Sequence, residues 1–349
     1  MRNFFTIVLI LINIFIYGKT FVSVSDGDWD NPAIWDLNDG TYPSQSDDVT
    51  INNTVYISDT EITKCQSLLI SASGTLILDD SYEFQLWQSS GTFSNSGLIK
   101  GPDLGGLGVF RPIFNLTLSS SGSYSNVKLR VTNSVVTVNS NISFSEMLFQ
   151  SGAKIVVSPG RILTIDGEVF FNSSSSEFLN KGEIIVNTNL FMTGTNGTSI
   201  VLKSSIGDIT CNVSSFPVPA DSYKNVTISS NSTFTSDFSM TGNLIVNAEF
   251  NSSNSSTITF SGSSSQSISG SSTMNFENIL LNNSSGLNLS SGNINVSGIL
   301  ESSSGGFTQD GANITLKSTA SNLAGLIKVS SSSDYSYSSG NFSVERYFN

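Results

Sequence analysis

Histidine is absent from all 349 residues of the chain. That single gap excludes Ser-His-Asp and Cys-His nucleophilic catalysis and every imidazole-ligated zinc site. Cysteine is scarce as well. Cys65 and Cys211 are too few for a disulfide framework or a thiolate zinc site. Each reads as a small buried side chain, with a Cys65–Cys211 bridge as the alternative. Charged residues make up only 12% of the chain, and 27 acidic against 15 basic side chains leave a net charge of −12. A chain so poor in positive charge offers no electrostatic footprint for nucleic acid. Helical periodicity is also missing, and only one long apolar run occurs.

That run extends from Phe4 to Tyr17, follows Arg2, and gives way to Gly18-Lys19-Thr20. A positive start, an apolar centre and a small-residue exit predict a secretory signal over residues 1–20, cleaved between Thr20 and Phe21. A membrane span needs about 20 apolar residues, and this run is shorter. No later segment is apolar enough to cross a bilayer, and the polar C-terminal stretch lacks a lipid-anchor tail. The expected location is therefore outside the cell or on its surface, with no transmembrane segment after cleavage.

What the chain does contain is Ser, Thr, Asn and Gly, interleaved with apolar residues. Ser-rich tracts such as 173–176 and 330–333 carry no packing information, yet 38% of the residues are hydrophobic and the 23 phenylalanines are spread evenly. That much apolar surface can build a core, which argues against disorder. Short alternating runs recur about every eight to twelve residues: Leu116-Thr117-Leu118, Val127-Lys128-Leu129-Arg130-Val131, Val226-Thr227-Ile228, Ile294-Asn295-Val296. Alternation bounded by Gly, Asn and Ser is the mark of strands and corners. Larger units echo one another too. Asn225–Asn231 resembles Asn278–Ser284 at an offset of 53 residues, and Gly242-Asn243-Leu244 resembles Gly292-Asn293-Ile294 at an offset of 50. Repeats whose strands cannot bury their apolar face alone stack into solenoids. The predicted fold is all-β, a right-handed parallel β-helix, with tandem small β-sandwiches as the alternative. Residues 21–80, which hold Trp29 and Trp35 and the densest acidic cluster, read as an N-terminal cap, and 81–349 as the repeat region.

A series of short motifs then becomes familiar: Gly27-Asp28-Trp29-Asp30-Asn31-Pro32-Ala33-Ile34-Trp35, Tyr42-Pro43, Asp47-Asp48-Val49-Thr50-Ile51-Asn52, Leu68-Leu69-Ile70 and Gly74-Thr75-Leu76. It resembles the N-terminal module of large secreted repeat proteins of the Bacteroidota, and more distantly is similar to the eight-glycine extracellular domain. Residues 258–316, with Gln266-Ser267-Ile268-Ser269-Gly270 and Phe276-Glu277-Asn278-Ile279, resemble the repeats of the same proteins, as does Gly340-Asn341-Phe342-Ser343-Val344-Glu345-Arg346-Tyr347. The resemblance implies a secreted β-solenoid or adhesin-like surface protein. In those proteins more chain and a sorting domain usually follow the last motif, whereas here two residues do; the resemblance then implies a fragment, a truncated relative or another export route.

Few constellations carry chemistry. Asp26, Asp28, Asp30, Asp36, Asp39, Asp47 and Asp48 could supply a carboxylate pair for glycoside hydrolysis or oxygen ligands for calcium. Their places at turns and strand starts favour capping of backbone amides instead. Gly101–Gly108 lacks the strand-to-helix setting of an anion-cradling loop. Sixteen Asn-x-Ser/Thr triplets are a mild excess over chance, and Asn115, Asn141, Asn225, Asn231, Asn295 and Asn313 are the candidate glycan acceptors. Trp29, Trp35 and Trp87 could stack on sugars, with burial the stronger reading for the first two. No catalytic residue and no cofactor is expected. The sequence reads as an extracellular structural or adhesive repeat protein contacting a glycan, a matrix or a cell-surface ligand. The alternative is a polysaccharide-processing enzyme, or its accessory domain, using the N-terminal carboxylates.

Overall fold

The computed structural model describes residues 18–347, apart from 59–61, 80–81, 88–90, 104–105, 120, 172–175, 188–192, 195–200, 204–207, 212–215, 218–221, 235–236, 253–254, 319–322 and 328–332. The described residues form 44 short strands and a single turn of 3-10 helix, Pro32–Ile34. Strands pair in parallel, coil upon coil, as in Asp48–Ile51 upon Ser67–Ile70 and Ile162–Ile165 upon Glu183–Val186. Among the described residues the antiparallel contact is an isolated bridge between Ser23 and Trp35. The fold is therefore a β-solenoid. Tandem sandwiches, whose strands would pair antiparallel, are set aside.

Each coil contributes three strands, so every third strand in the chain belongs to the same face. The first face starts with Thr20–Val22, Asp48–Ile51, Ser67–Ile70 and Phe93–Asn95. The second starts with Gly27–Asp28, Thr54–Ile57 and Thr75–Leu78, and includes a ladder of 10 strands from Ile142–Phe144 to Tyr335–Ser339. The third runs from Ile62–Cys65 through Glu83–Leu86, Gly108–Pro112, Val127–Thr132 and Glu146–Gln150. Its later strands include Ser232–Phe234, Phe250–Ser252, Thr273–Phe276, Asn293–Val296, Asn313–Lys317 and Phe342–Glu345.

Period-two alternation decides which side chains enter the core. In Val127–Thr132, Val127, Leu129 and Val131 are buried while Lys128, Arg130 and Thr132 are half-exposed. Because the pairing is parallel and in register, each inward residue lies over its counterpart in the next coil. Leu163, Ile184, Ile209 and Val226 are successive rungs, 21, 25 and 17 residues apart. Aromatic rungs stack likewise. Phe84 is paired with Phe110 at a ring separation of 6.5 Å, and Phe250 packs on Phe234 and Phe276 at 4.8 and 5.0 Å. Burying each such ring stabilises the stack by roughly 1.5–3 kcal/mol.

The 53-residue offset read from the sequence is not the repeat of this structure. Val226–Ile228 lies on the second face, whereas its look-alike Asn278–Asn282 lies on the first. What recurs is corner chemistry, the Asn before a strand, and corners of similar type occur at different vertices of the coil. Asn126 and Asn133 take left-handed backbone angles, φ 54° and 49°, at such bends. At Gly305, φ 83°, a Cβ would stand 1.9 Å from the Asn283 carbonyl oxygen, so only glycine fits.

The first coil buries two tryptophans. Trp35 is fully buried, its indole donating to the Trp29 carbonyl at 2.9 Å, and its ring meets Trp29 and Phe21 edge-on at 5.4 and 6.0 Å. The strands within residues 21–80 belong to the same three faces as those that follow. Stacking passes residue 80 without a break, Glu83–Leu86 resting on Ile62–Cys65 and Leu98–Lys100 on Thr75–Leu78. Among the described residues no helix is long and apolar enough to cross a membrane.

Candidate functional site

Most of the N-terminal carboxylates are spent on the fold. Asp26 accepts from the Thr54 amide at 2.7 Å, Asp36 from the Val22 amide at 2.9 Å, and Asp28 from the Ser58 hydroxyl at 2.9 Å. Asp47 is buried and accepts from the amides of Lys19 and Ser44, both at 2.7 Å, and from the Ser44 hydroxyl. Asp39 accepts from Lys19 Nζ at 2.7 Å and from the Thr41 amide at 2.9 Å. The Lys19 ammonium, helped by Thr41, lowers the Asp39 carboxyl to about 2. Its contribution to stability is thus present above the ordinary carboxylate range and fades as the pH falls toward that value. Asp48 carries a buried Oδ1 with no protein partner. Asp30 is half-buried and makes no hydrogen bond or ion pair among the described residues. No group of three or more carboxylates or thiols converges on a metal-sized point among the described residues.

Residues at the expected cleavage point are integrated into the first coil. Thr20 pairs with Asp48, Phe21 is buried against Trp35, and the Lys19 amide binds Asp47. A chain cut between Thr20 and Phe21 would lose the Lys19 and Thr20 contacts.

The candidate glycan acceptors turn out to occupy coil-to-coil contacts. Asn115 Oδ1 accepts from the Val135 amide at 2.8 Å, Asn141 from Ile162 at 3.1 Å, Asn225 from Asn243 at 2.7 Å and Asn231 from Glu249 at 3.1 Å. In each case an amide one coil further on, which the corner would otherwise leave unmet, finds its partner. Asn295 donates through Nδ2 to Asn275 Oδ1 at 2.7 Å, and Asn313 to Asn293 Oδ1 at 3.0 Å. The loop glycines Gly101 and Gly108 also answer to packing. Their amides donate to Ser125 and Asn126 carbonyls, and a Cβ on Gly101 would stand 1.9 Å from the Asn126 carbonyl oxygen. Leu104 and Gly105 of that loop lie outside the described residues.

Cys65 is a free, buried thiol that donates to the Ser67 carbonyl at 3.2 Å, so it does not bridge to Cys211, whose own side chain lies outside the described set. Burial pushes the Cys65 thiol well above its ordinary range, which removes it as a nucleophile. Of the three tryptophans, Trp29 and Trp35 are buried, and Trp87 is partly exposed with Lys64 Nζ 4.0 Å from its ring centre.

Two of the exposed aromatics were not among the sequence candidates, whereas Trp87, which was, is 37% exposed. Tyr42 and Tyr56 are 51% and 37% exposed and border an open depression of about 530 Å³ beside the first coil, together with Asp30, Gln45, Ile62 and Lys64. The signal was available at Tyr56. In Thr54–Ile57 the apolar phase is filled by Val55 and Ile57, so an aromatic on the opposite phase must face outward. No comparable signal marked Tyr42, which sits in a loop.

A three-faced parallel β-solenoid, with buried tryptophans in its first coil and an aromatic-bordered depression beside them, defines the class of this protein. No family model, no curated protein and no solved structure matches the chain.

Proposed function

We propose that the chain is a secreted structural or adhesive repeat protein that presents a polar, uncharged β-solenoid surface to a glycan, a matrix or a cell-surface ligand. The observation that carries this reading is a row on the outside of the third face. Thr233, Asn251, Asn275, Asn295, Thr315 and Ser343 follow one another coil by coil in strict register, without one charge. Such a row offers evenly repeated hydroxyl and amide groups on a stiff support. Repetition converts weak single contacts into avidity, because the second contact forms at high effective concentration. Export is supported by the apolar run after Arg2.

The enzyme alternative draws less support. Glycoside hydrolysis needs two carboxylates facing one bond. Asp26, Asp36, Asp39 and Asp47 are committed to backbone amides and Asp28 accepts from the Ser58 hydroxyl, which leaves Asp30 beside the depression and Asp48, whose Oδ1 is buried.

Retention of the purified chain on polysaccharide-coated and matrix-coated surfaces tests the adhesive reading. Retention is expected to persist at about 0.5 M salt, because an uncharged row is not screened, and to fall when Asn275 and Thr315 are both replaced by Glu. A chain that binds none of these surfaces, or that elutes with modest salt, would overturn it.

A further inference from the structure

We propose that the depression bordered by Tyr42 and Tyr56 is a binding site for a neutral saccharide, an assignment that rests on the glycan-contact reading above and gives it a specific place.

Trp35, Phe84, Phe110, Phe144, Phe234 and Phe250 are all fully buried, whereas Tyr42 and Tyr56 turn 51% and 37% of their surface outward at the same depression. Trp87, Tyr337, Phe342 and Tyr347 are also exposed, but none of them lines this depression. Tyrosine rings present a flat apolar face with a polar rim, which suits the C–H face and hydroxyl edge of a pyranose.

The backbone that carries both rings is held by contacts that a ligand would not have to create. The Thr41 amide is bound by Asp39, the Pro43 carbonyl receives the Trp29 indole N–H at 3.1 Å, and Ser44 is held by Asp47 through its amide and its hydroxyl. The backbone is therefore anchored on both sides of Tyr42. Tyr56 lies in a strand paired in register with Ile77, and its carbonyl accepts from the Trp29 amide at 2.8 Å. Preorganisation of this kind lowers the entropic cost of binding.

The polar groups fit the same ligand. The Asp30 carboxylate is unmatched among the described residues and borders the depression, as do Gln45, Lys64, whose ammonium lies over the Trp87 ring, and Ser58, whose hydroxyl donates to Asp28. Strand Ile62–Cys65 is the edge of the third face and lines the depression. Donors and acceptors thus surround two stacking platforms, a pattern that answers a polyhydroxylated ring. One carboxylate offsets one ammonium, and the chain as a whole carries a net charge of −12, which disfavours a polyanionic sugar. At about 530 Å³ the depression falls within the range of ligand sites, about 300–1,000 Å³.

The test is calorimetric titration of the purified full chain with uncharged tetrasaccharides, one each built from glucose, mannose and N-acetylglucosamine, beside heparin and a proline-rich decapeptide. At least one tetrasaccharide should bind. Tyr56→Ala and Tyr42→Ala should each weaken it about tenfold, the scale of one lost stacking contact, and Asp30→Asn should weaken it less. Tyr337→Ala, at an exposed site near the other end of the solenoid, should leave it unchanged. Both tyrosines are exposed, so the variants should keep the parent's melting point, and circular dichroism verifies this. Three outcomes would overturn the site: no tetrasaccharide binds, binding is indifferent to both tyrosine substitutions, or the peptide alone binds in a tyrosine-dependent way. Surface retention separates this proposal from the broader one. Retention without tyrosine-dependent saccharide binding sinks the site and spares the adhesive role. Tyrosine-dependent binding without retention does the reverse.

Discussion

The outside of the third face is solved in two different ways along its length. In its early stretch it is charged. Lys64, Gln85, Arg111 and Arg130 form one row in register, with Glu83, Lys128 and Glu146 beside it. Glu83, 7% exposed, receives Arg111 Nη1 at 3.1 Å on one oxygen and Arg130 Nη1 at 2.8 Å on the other, and Arg130 Nε reaches Gln150 Oε1 at 2.9 Å. In its late stretch the same geometric position holds amides. Asn275 donates to Asn251 at 2.7 Å and accepts from Asn295 at 2.7 Å. An amide ladder is self-complementary, since each Asn both donates and accepts and the same residue can recur coil after coil. Charges of one sign cannot stack in that way, so the early stretch weaves several coils around one acid. The weave is imperfectly matched: Gln85 Oε1 and Arg111 Nε are buried without a protein partner. The comparison teaches that registration between coils is needed everywhere, while its chemistry is free to vary with what the surface must offer.

The comparison can be broken first at its strongest point. Glu83→Ala leaves two guanidinium groups facing each other with their shared acid gone. We expect a loss of about 3 kcal/mol, the lower end for breaking a buried ion pair because both arginines keep some contact with water. Urea denaturation, with hydrogen exchange at the Phe110 and Leu129 amides, reads the effect. Glu83→Gln should cost less, since a carboxamide oxygen still accepts from one arginine.

Asn275→Ala removes one donor and one acceptor from the middle of the amide ladder, and a loss of about 1–2 kcal/mol is expected. Asn275→Thr should cost less still, because Thr233 and Thr315 already occupy rungs of this row. If Asn275→Ala proved as damaging as Glu83→Ala, the two stretches would not differ in the way proposed here.

Much of this architecture was legible in the residues. The alternation of Val127, Leu129 and Val131 with Lys128 and Arg130 states both the strand and its buried face, and Trp29 and Trp35, for which burial was the stronger reading, are both buried. The phase of the coil was not legible, because corners of one chemistry serve different vertices. Asn225 and Asn278 look alike in sequence for that reason alone, although their strands lie on different faces. The capping role of Asp47 followed from its place before a strand, while the buried, unmatched oxygen of its neighbour Asp48 had no sequence signature. The depression was least visible. Tyr42 and Tyr56 are 14 positions apart, one in a loop and one in a strand, and only the winding of the first coil brings them to the same hollow.

The smallest expected effect is the most discriminating, because it acts on one half of the face and spares the other. Raising the salt concentration from about 0.05 M to about 1 M shortens the screening length from more than 10 Å to about 3 Å. Lys128–Glu146, 2.7 Å apart and about a third exposed on both sides, should lose most of its attraction, and the half-exposed flanks of Arg111 and Arg130 some of theirs. A surface pair of this kind contributes less than about 1 kcal/mol, so exchange protection at Lys128 and Arg130 should fall by a few-fold at most. The Asn251, Asn275 and Asn295 rungs carry no net charge, and their backbone protection should stay where it was. Equal loss in both stretches would mean that salt loosens the solenoid as a whole. Loss confined to the charged stretch would show that the two halves of one face are held by different forces at the same geometric position.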